Sequence, residues 1–125
     1  MSDLPRRRTP SMPFSPAAVA LHDILHHIDL ATRFAEGMDR AAFIGDQRTL
    51  YAIIRCLEII SEASRRLPDV LKMRHPSIEW SKIAGAGNVY RHDYEEVAAE
   101  YVWDTVHLAL PPLRAVVVQE LARDD

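Results

Sequence analysis

The sequence predicts an all-α protein, an antiparallel, up-and-down bundle of four to five helices. Three observations lead there. Apolar residues recur every three or four positions in three long runs, the spacing that buries one face of a helix. No segment alternates apolar and polar residues as a half-buried strand would, apart from the brief run Val116-Val117-Val118. Only four glycines punctuate 125 residues, too few for the turns of an all-β chain. Short connections between the runs make neighbouring helices pack side by side.

The elements follow in order. Residues 1–15 read as a flexible tail: Pro5, Pro10, Pro13 and three serines cannot build a helix or bury much surface. Arg6, Arg7 and Arg8 in that tail are either a solvated leader or a contact for nucleic acid or an acidic partner. The helical domain spans residues 16–125. Ser15 is the expected N-cap and Pro16 the first helical residue, a position where a missing N–H costs nothing. Leu21, Ile24, Leu25, Ile28, Thr32 and Ala35 form the first stripe, and Gly37 ends it.

Phe43 and Ile44 sit in a short connecting element before Asp46, which can cap the next helix. Leu50, Ile53, Ile54, Leu57, Ile60, Ser64 and Leu67 trace the second stripe. Pro68 stops that helix or starts a short one through Met73, and His75-Pro76-Ser77 is a loop. The run from Trp80 to about Tyr90 is weakly helical and broken by Gly85 and Gly87. Val97, Tyr101, Val102, Thr105, Val106 and Ala109 make the third stripe. Pro111-Pro112 marks a kink or a break, after which Leu113, Val116, Val117 and Leu121 continue on a last short helix.

Composition excludes several classes. A hydrophobic fraction of 48% with 26% charged residues fits a soluble globular domain. The formal charge of −3 argues against an electrostatic wrapper of nucleic acid, though a small phosphate site remains open. Cys56 is alone, so a disulfide framework and a thiolate metal cluster are both excluded, and a reducing cytoplasm is expected. No apolar run approaches the roughly 18 residues that span a bilayer. No apolar signal core follows the N-terminal arginines.

The densest chemistry lies in Gly87-Asn88-Val89-Tyr90-Arg91-His92-Asp93-Tyr94. His92 titrates near neutral pH, Arg91 suits a phosphate, and Tyr94 offers a hydroxyl. On a helix, Asn88 would share a face with His92. Asp93 would cap the helix starting near Tyr94, with Glu96 completing a capping-box pattern. A purely structural reading stands beside this one, because helix junctions collect polar residues.

Other candidates weigh less. His22 and His26 have zinc-ligand spacing on one helix, but no third ligand is placed, so solvent- or partner-facing histidines are expected. Glu58 and Glu62, one turn apart, read as structural ion-pair partners of Arg55, Arg65 or Arg91 rather than as catalysts. Trp80 and Trp103 read as core or interface anchors.

Taken in order, these phrases resemble the HepT-like branch of the HEPN superfamily, toxin ribonucleases paired with a minimal nucleotidyltransferase antitoxin. The resemblance rests on Leu21 to Ile28, Ala42 to Asp46, Leu57 to Ser64 and Pro76 to Gly85. It continues through Asn88, His92 and Tyr94, then Val102-Trp103 and Leu110 to Leu113, covering about residues 17 to 121. It implies a HEPN-like helical bundle that forms a homodimer, with two motif copies meeting in one cleft. It implies metal-independent RNA cleavage without a cofactor, in which the ribose 2′-hydroxyl attacks the adjacent phosphate.

Within that resemblance His92 is the acid-base residue, Asn88 the polar residue that follows the family arginine, and Tyr94 the tyrosine that the antitoxin modifies with AMP. The family arginine itself is absent: its positions fall on Gly87, Ala86 or Gly85. Arg91 is the nearest guanidinium in sequence, although on a regular helix it would point about 100° away from His92. The implied partners are RNA and a nucleotidyltransferase-type antitoxin, with no membrane. The alternative is a weakened or inactive HEPN module that binds RNA, nucleotide or the transferase without cleavage. A third reading, a structural helical dimer with no ligand, leaves the polar cluster unexplained.

Overall fold

The computed structural model describes residues 15–89 and 94–124. The N-terminal tail, with its three arginines, therefore lies outside the described residues. Seven α-helical segments are described: α1 (Pro16–Ala35), α2 (Arg40–Ile44), α3 (Gln47–Arg65), α4 (Asp69–Met73), α5 (Trp80–Gly85), α6 (Glu95–Asp104) and α7 (Leu110–Asp124). A π-helical turn, Thr105–Ala109, joins α6 to α7. No strand occurs among the described residues.

The local signals act as expected. Ser15 Oγ accepts from the Ala18 N–H at 3.1 Å and Pro16 opens α1. After α1, Gly37 adopts φ +80°, a left-handed conformation that a side chain would strain. Asp39 caps α2 through the Ala42 N–H, and Asp46 caps α3 through the Thr49 N–H. Each cap satisfies a donor that the first helical turn leaves without a partner.

Helices α1 and α3 form the main interface, with α7 on α1, α5 on α3 and α2 against α6. Ion pairs reveal the directions. Asp23, early in α1, meets Arg66 at the end of α3, and Asp29, late in α1, meets Arg114 early in α7. Both pairings require antiparallel neighbours, so the predicted all-α, antiparallel architecture is the observed one. Leu21, Ile24, Ile28, Phe43, Leu50, Ile53, Leu57 and Ile60 are fully buried at its centre, with Val102, Leu113 and Val117. Burying one such side chain contributes about 1.5–3 kcal/mol, which is why the stripes dictate how the helices face.

Two stripe positions differ from expectation. Thr32 is exposed and its hydroxyl donates to the Ile28 carbonyl at 2.9 Å, while Ala31 faces the core. Val97 is 44% exposed, and Ala98 and Ala99 are buried in its place.

The diproline produces no break. Pro111 and Pro112 lie inside a helix that runs on from α6 through the π turn into α7. Both lack an N–H, and each ring would clash with the carbonyl four residues earlier in a regular helix. The π turn shifts the register, and Leu110 N–H donates to the Thr105 carbonyl five residues back. The widened turn absorbs the missing donors, and α7 resumes as a 15-residue helix. The last helix is thus neither separate nor short.

Candidate functional site

The motif segment connects α5 to α6, and its position is set by how tightly α5 ends against α3. Ser61, buried on α3, donates its hydroxyl to the Ile83 carbonyl at 3.0 Å and accepts the Gly87 N–H at 2.8 Å. Ser64 adds a bond to the Ser61 carbonyl at 2.7 Å. Arg65 donates to the Ala84 carbonyl at 2.7 Å, satisfying another acceptor at the end of α5. The turn after α5 is therefore fastened to α3 at several points.

Gly87 is required by that closeness. A Cβ at this position would lie 2.9 Å from the Glu58 Cα and 3.3 Å from both the Glu58 nitrogen and Ser61 Oγ. The first contact is with backbone of a core helix, which cannot give way as a flexible side chain could. At Gly87, where the resemblance would put an arginine for the shortest spacing, α3 occupies the space that a side chain would need.

On the far side, α6 is tied to α3 by its first residue. Gln47 Nε2 donates to both Glu95 oxygens at 3.0 and 2.8 Å, and the Tyr51 hydroxyl donates at 2.8 Å. The Gln47 hydrogen bond, then the Tyr51 bond, hold the Glu95 carboxyl below its ordinary range. The same contact raises the Tyr51 hydroxyl. Glu95 is thus a fixed anion at the start of α6, where the helix dipole favours negative charge.

Between these two attachments lies a groove of about 350 Å³. Leu50, Tyr51, Ile54 and Glu58 of α3 form one wall, and Gly87, Val89, Glu95 and Ala98 form the other. Asn88, half-buried, sits between two lining residues, and Tyr94, 73% exposed, directly precedes a third. The two motif residues that are described thus adjoin groove-lining residues in the chain, and neither lines the groove itself. Arg91 and His92 lie outside the described residues.

Two sequence expectations change here. Asn88 is not on a regular helix, because α5 ends at Gly85; its expected relation to His92 falls on a residue outside the described ones. The residue at the N-cap of α6 is Tyr94, and its side chain makes no capping bond; Asp93, the expected cap, lies outside the described residues. Start-of-helix signals at neighbouring residues are hard to separate by sequence alone.

The remaining candidates are structural. Glu58 pairs with Arg55 at 3.2 Å, and Glu62 with Arg66 at 3.2 Å rather than with Arg65. His22 and His26 are exposed, and His27 Nδ1 bonds to the Asp23 carbonyl at 2.7 Å. Among the described residues no group of three or more His, Cys, Asp or Glu side chains is placed to hold a metal ion. Trp80 donates to the Lys72 and His75 carbonyls, and Trp103 packs between Phe43 and His107.

One polar cluster escaped the sequence reading. Glu120, 4% exposed, binds Arg74 through both oxygens at 2.7 and 3.1 Å and meets His75 Nε2 at 2.6 Å. The Arg74 bonds, with His75 assisting, pull its carboxyl down to about 2. Its signal was available: Glu120 lies three residues after Val117 and seven after Leu113, on the buried stripe of α7.

With fold and groove established, the chain's affinity is plain. It belongs to the ribonuclease HepT-like family, whose model matches residues 24–120. It is 36% identical over 94 residues to "Probable ribonuclease HepT" of Thermococcus cleftensis, covering 75% of this chain and 86% of that protein. It is 33% identical over 103 residues to a protein of Methanocaldococcus jannaschii named "Putative RNase", covering 82% of this chain and 89% of that one. A second protein of that organism bearing the same name is 31% identical over 103 residues, covering 82% and 85%. No solved structure matches.

Proposed function

We propose that this protein is the toxin of a toxin–antitoxin pair, a metal-independent endoribonuclease acting at a cleft between two copies of the chain. Membership of the ribonuclease HepT-like family across residues 24–120 carries this reading. Asn88, His92 and Tyr94 keep the order of that family's motif. In the reaction, His92 takes the proton of the ribose 2′-hydroxyl as its oxygen attacks the adjacent phosphorus. The bond from phosphorus to the 5′-oxygen breaks and that oxygen receives a proton, leaving a cyclic phosphate and a free 5′-hydroxyl. Arg91 contacts the phosphate and Asn88 orients the reacting groups.

Tyr94 is the regulatory site. Its 73% exposure suits a hydroxyl that a second protein must reach. A nucleotidyltransferase antitoxin in the same cytoplasm would transfer AMP from ATP to the Tyr94 oxygen, releasing pyrophosphate. Bulk and negative charge beside the groove would then repel RNA.

One observation favours a second reading. The space beside Glu58 excludes any side chain at Gly87, and a module without its motif arginine would bind RNA, nucleotide or the transferase without cutting. Cleavage of a labelled RNA by purified dimer, in excess chelator, tests both. The expected result is cutting by wild type, its loss in His92→Ala and a large decrease in Arg91→Ala. No cutting by unmodified wild type, with Tyr94 checked by intact mass, leaves the binding module.

A further inference from the structure

We infer that Arg55 is a second phosphate-binding cation of this cleft, reaching from α3 to the RNA backbone on the side where Gly87 leaves the motif without a side chain. The inference rests on the ribonuclease reading above and adds a residue from outside the motif.

The geometry starts from the contact that forbids an arginine at Gly87. The turn closes on the Cα of Glu58, and the Glu58 carboxylate holds the Arg55 guanidinium at 3.2 Å. The residue whose backbone closes on Gly87 thus also holds the Arg55 cation through its side chain. Tyr51, Arg55 and Glu58 are spaced by four and three residues, so they stand on one ridge of α3. Tyr51 and Glu58 line the groove, and Arg55, which does not line it, stands beside them on the same ridge. Its side chain is 70% exposed, free to swing along that wall.

Other arginines near the turn are committed elsewhere. Arg65 donates to the Ala84 carbonyl, and Arg66 is shared between Asp23 and Glu62. The Arg55–Glu58 pair is a different case. It is solvent-exposed on both sides and three residues apart, a class of ion pair that opens at small cost. A phosphate offers the guanidinium a better acceptor, two oxygens matched to its fork of N–H donors. When RNA enters, Arg55 exchanges the carboxylate for the phosphate. Glu58 is then a competitor that holds the Arg55 guanidinium while the groove is empty.

The competition makes the inference testable in two directions. Arg55→Ala, Arg55→Lys, Glu58→Gln and the Arg55→Ala/Glu58→Gln pair would be compared in single-turnover cleavage. Binding would be followed by fluorescence anisotropy with the same RNA carrying a 2′-deoxy ribose at the cut site. Arg55→Ala should lower kcat/KM by about 10- to 100-fold. It should also flatten the dependence of log affinity on log salt by about 0.7, one phosphate contact on a single strand. Arg55→Lys should recover part of the loss. Glu58→Gln should tighten binding by about two- to fivefold, and that gain should vanish in the double variant.

Arg55→Ala that binds and cleaves as wild type does overturns the inference while the ribonuclease reading stands. A Glu58→Gln gain that persists without Arg55 overturns it as well. Wild type that binds RNA without cutting sinks the ribonuclease reading; the salt slope then decides the Arg55 contact by itself. Wild type that neither binds nor cuts overturns both.

Discussion

At the scale of single residues, Gly87 and Glu120 show how little a side chain's type says before its neighbours are known. Glycine replaces an arginine in the motif, and the resemblance reads that as a loss. The 2.9 Å approach to the Glu58 Cα makes it a packing requirement instead. Restoring the arginine should therefore fail: Gly87→Arg is expected to destabilise the fold without raising cleavage, and Gly87→Ala to cost about 1–3 kcal/mol by chemical denaturation. Ser61→Ala, which strips partners from the Gly87 N–H and the Ile83 carbonyl, should cost about 1–2 kcal/mol in the same assay.

Glu120 makes the opposite case, a charge where the stripe predicts an apolar residue. Glu120→Gln is expected to cost about 1.5–3 kcal/mol, because the bonds from Arg74 and His75 are to an ionised group. The direction of its pH dependence follows from the sign of the shift. A carboxyl held at about 2, below its ordinary 4.5, stabilises the fold fully above 4.5. That stabilisation is lost as pH falls from 4.5 towards 2. Denaturation midpoints across this window should decline in wild type and decline less in Glu120→Gln.

At the scale of elements, caps and stripes decided most of the outcome. Ser15, Asp46 and Gly37 each sit where a helix must start or stop, and each does so. Ser15→Ala should cost about 1 kcal/mol, read by thermal melting, since the first turn of α1 then loses its side-chain acceptor. The diproline was misjudged for a specific reason. Two consecutive residues without N–H end a helix that must stay in α register, but a π turn changes the register. Periodicity carries no sign of that choice, which depends on whether α6 and α7 gain more by remaining one rod against α1 and α3. The Thr32 and Val97 assignments failed because neighbouring alanines, Ala31 in α1 and Ala98 and Ala99 in α6, take the buried positions instead.

At the scale of the whole molecule, the site exists only because three elements meet. Its walls draw Tyr51 and Glu58 from α3, Gly87 and Val89 from the turn after α5, and Glu95 and Ala98 from the start of α6. If the cleft is completed by a second copy, light scattering should return twice the 14.2 kDa of one chain. Dilution to monomer should then abolish cleavage before it unfolds the helices, as followed by circular dichroism. A monomer that still cuts would separate the chemistry from the assembly.

The sequence by itself determined the class of fold, the caps at Ser15, Asp46 and Gly37, most of the buried stripe positions and the order of the motif residues. These depend on near neighbours, on the repeat of the helix and on the chemistry of a side chain, all of which survive in a linear string. Only the tertiary structure decided that Gly87 is wedged against α3, that Glu120 is sealed with Arg74 and His75, and that Tyr51 and Glu58 face the motif turn across one groove. Those facts depend on which residues far apart in sequence are pressed together, and the close packing of helix against helix sets them.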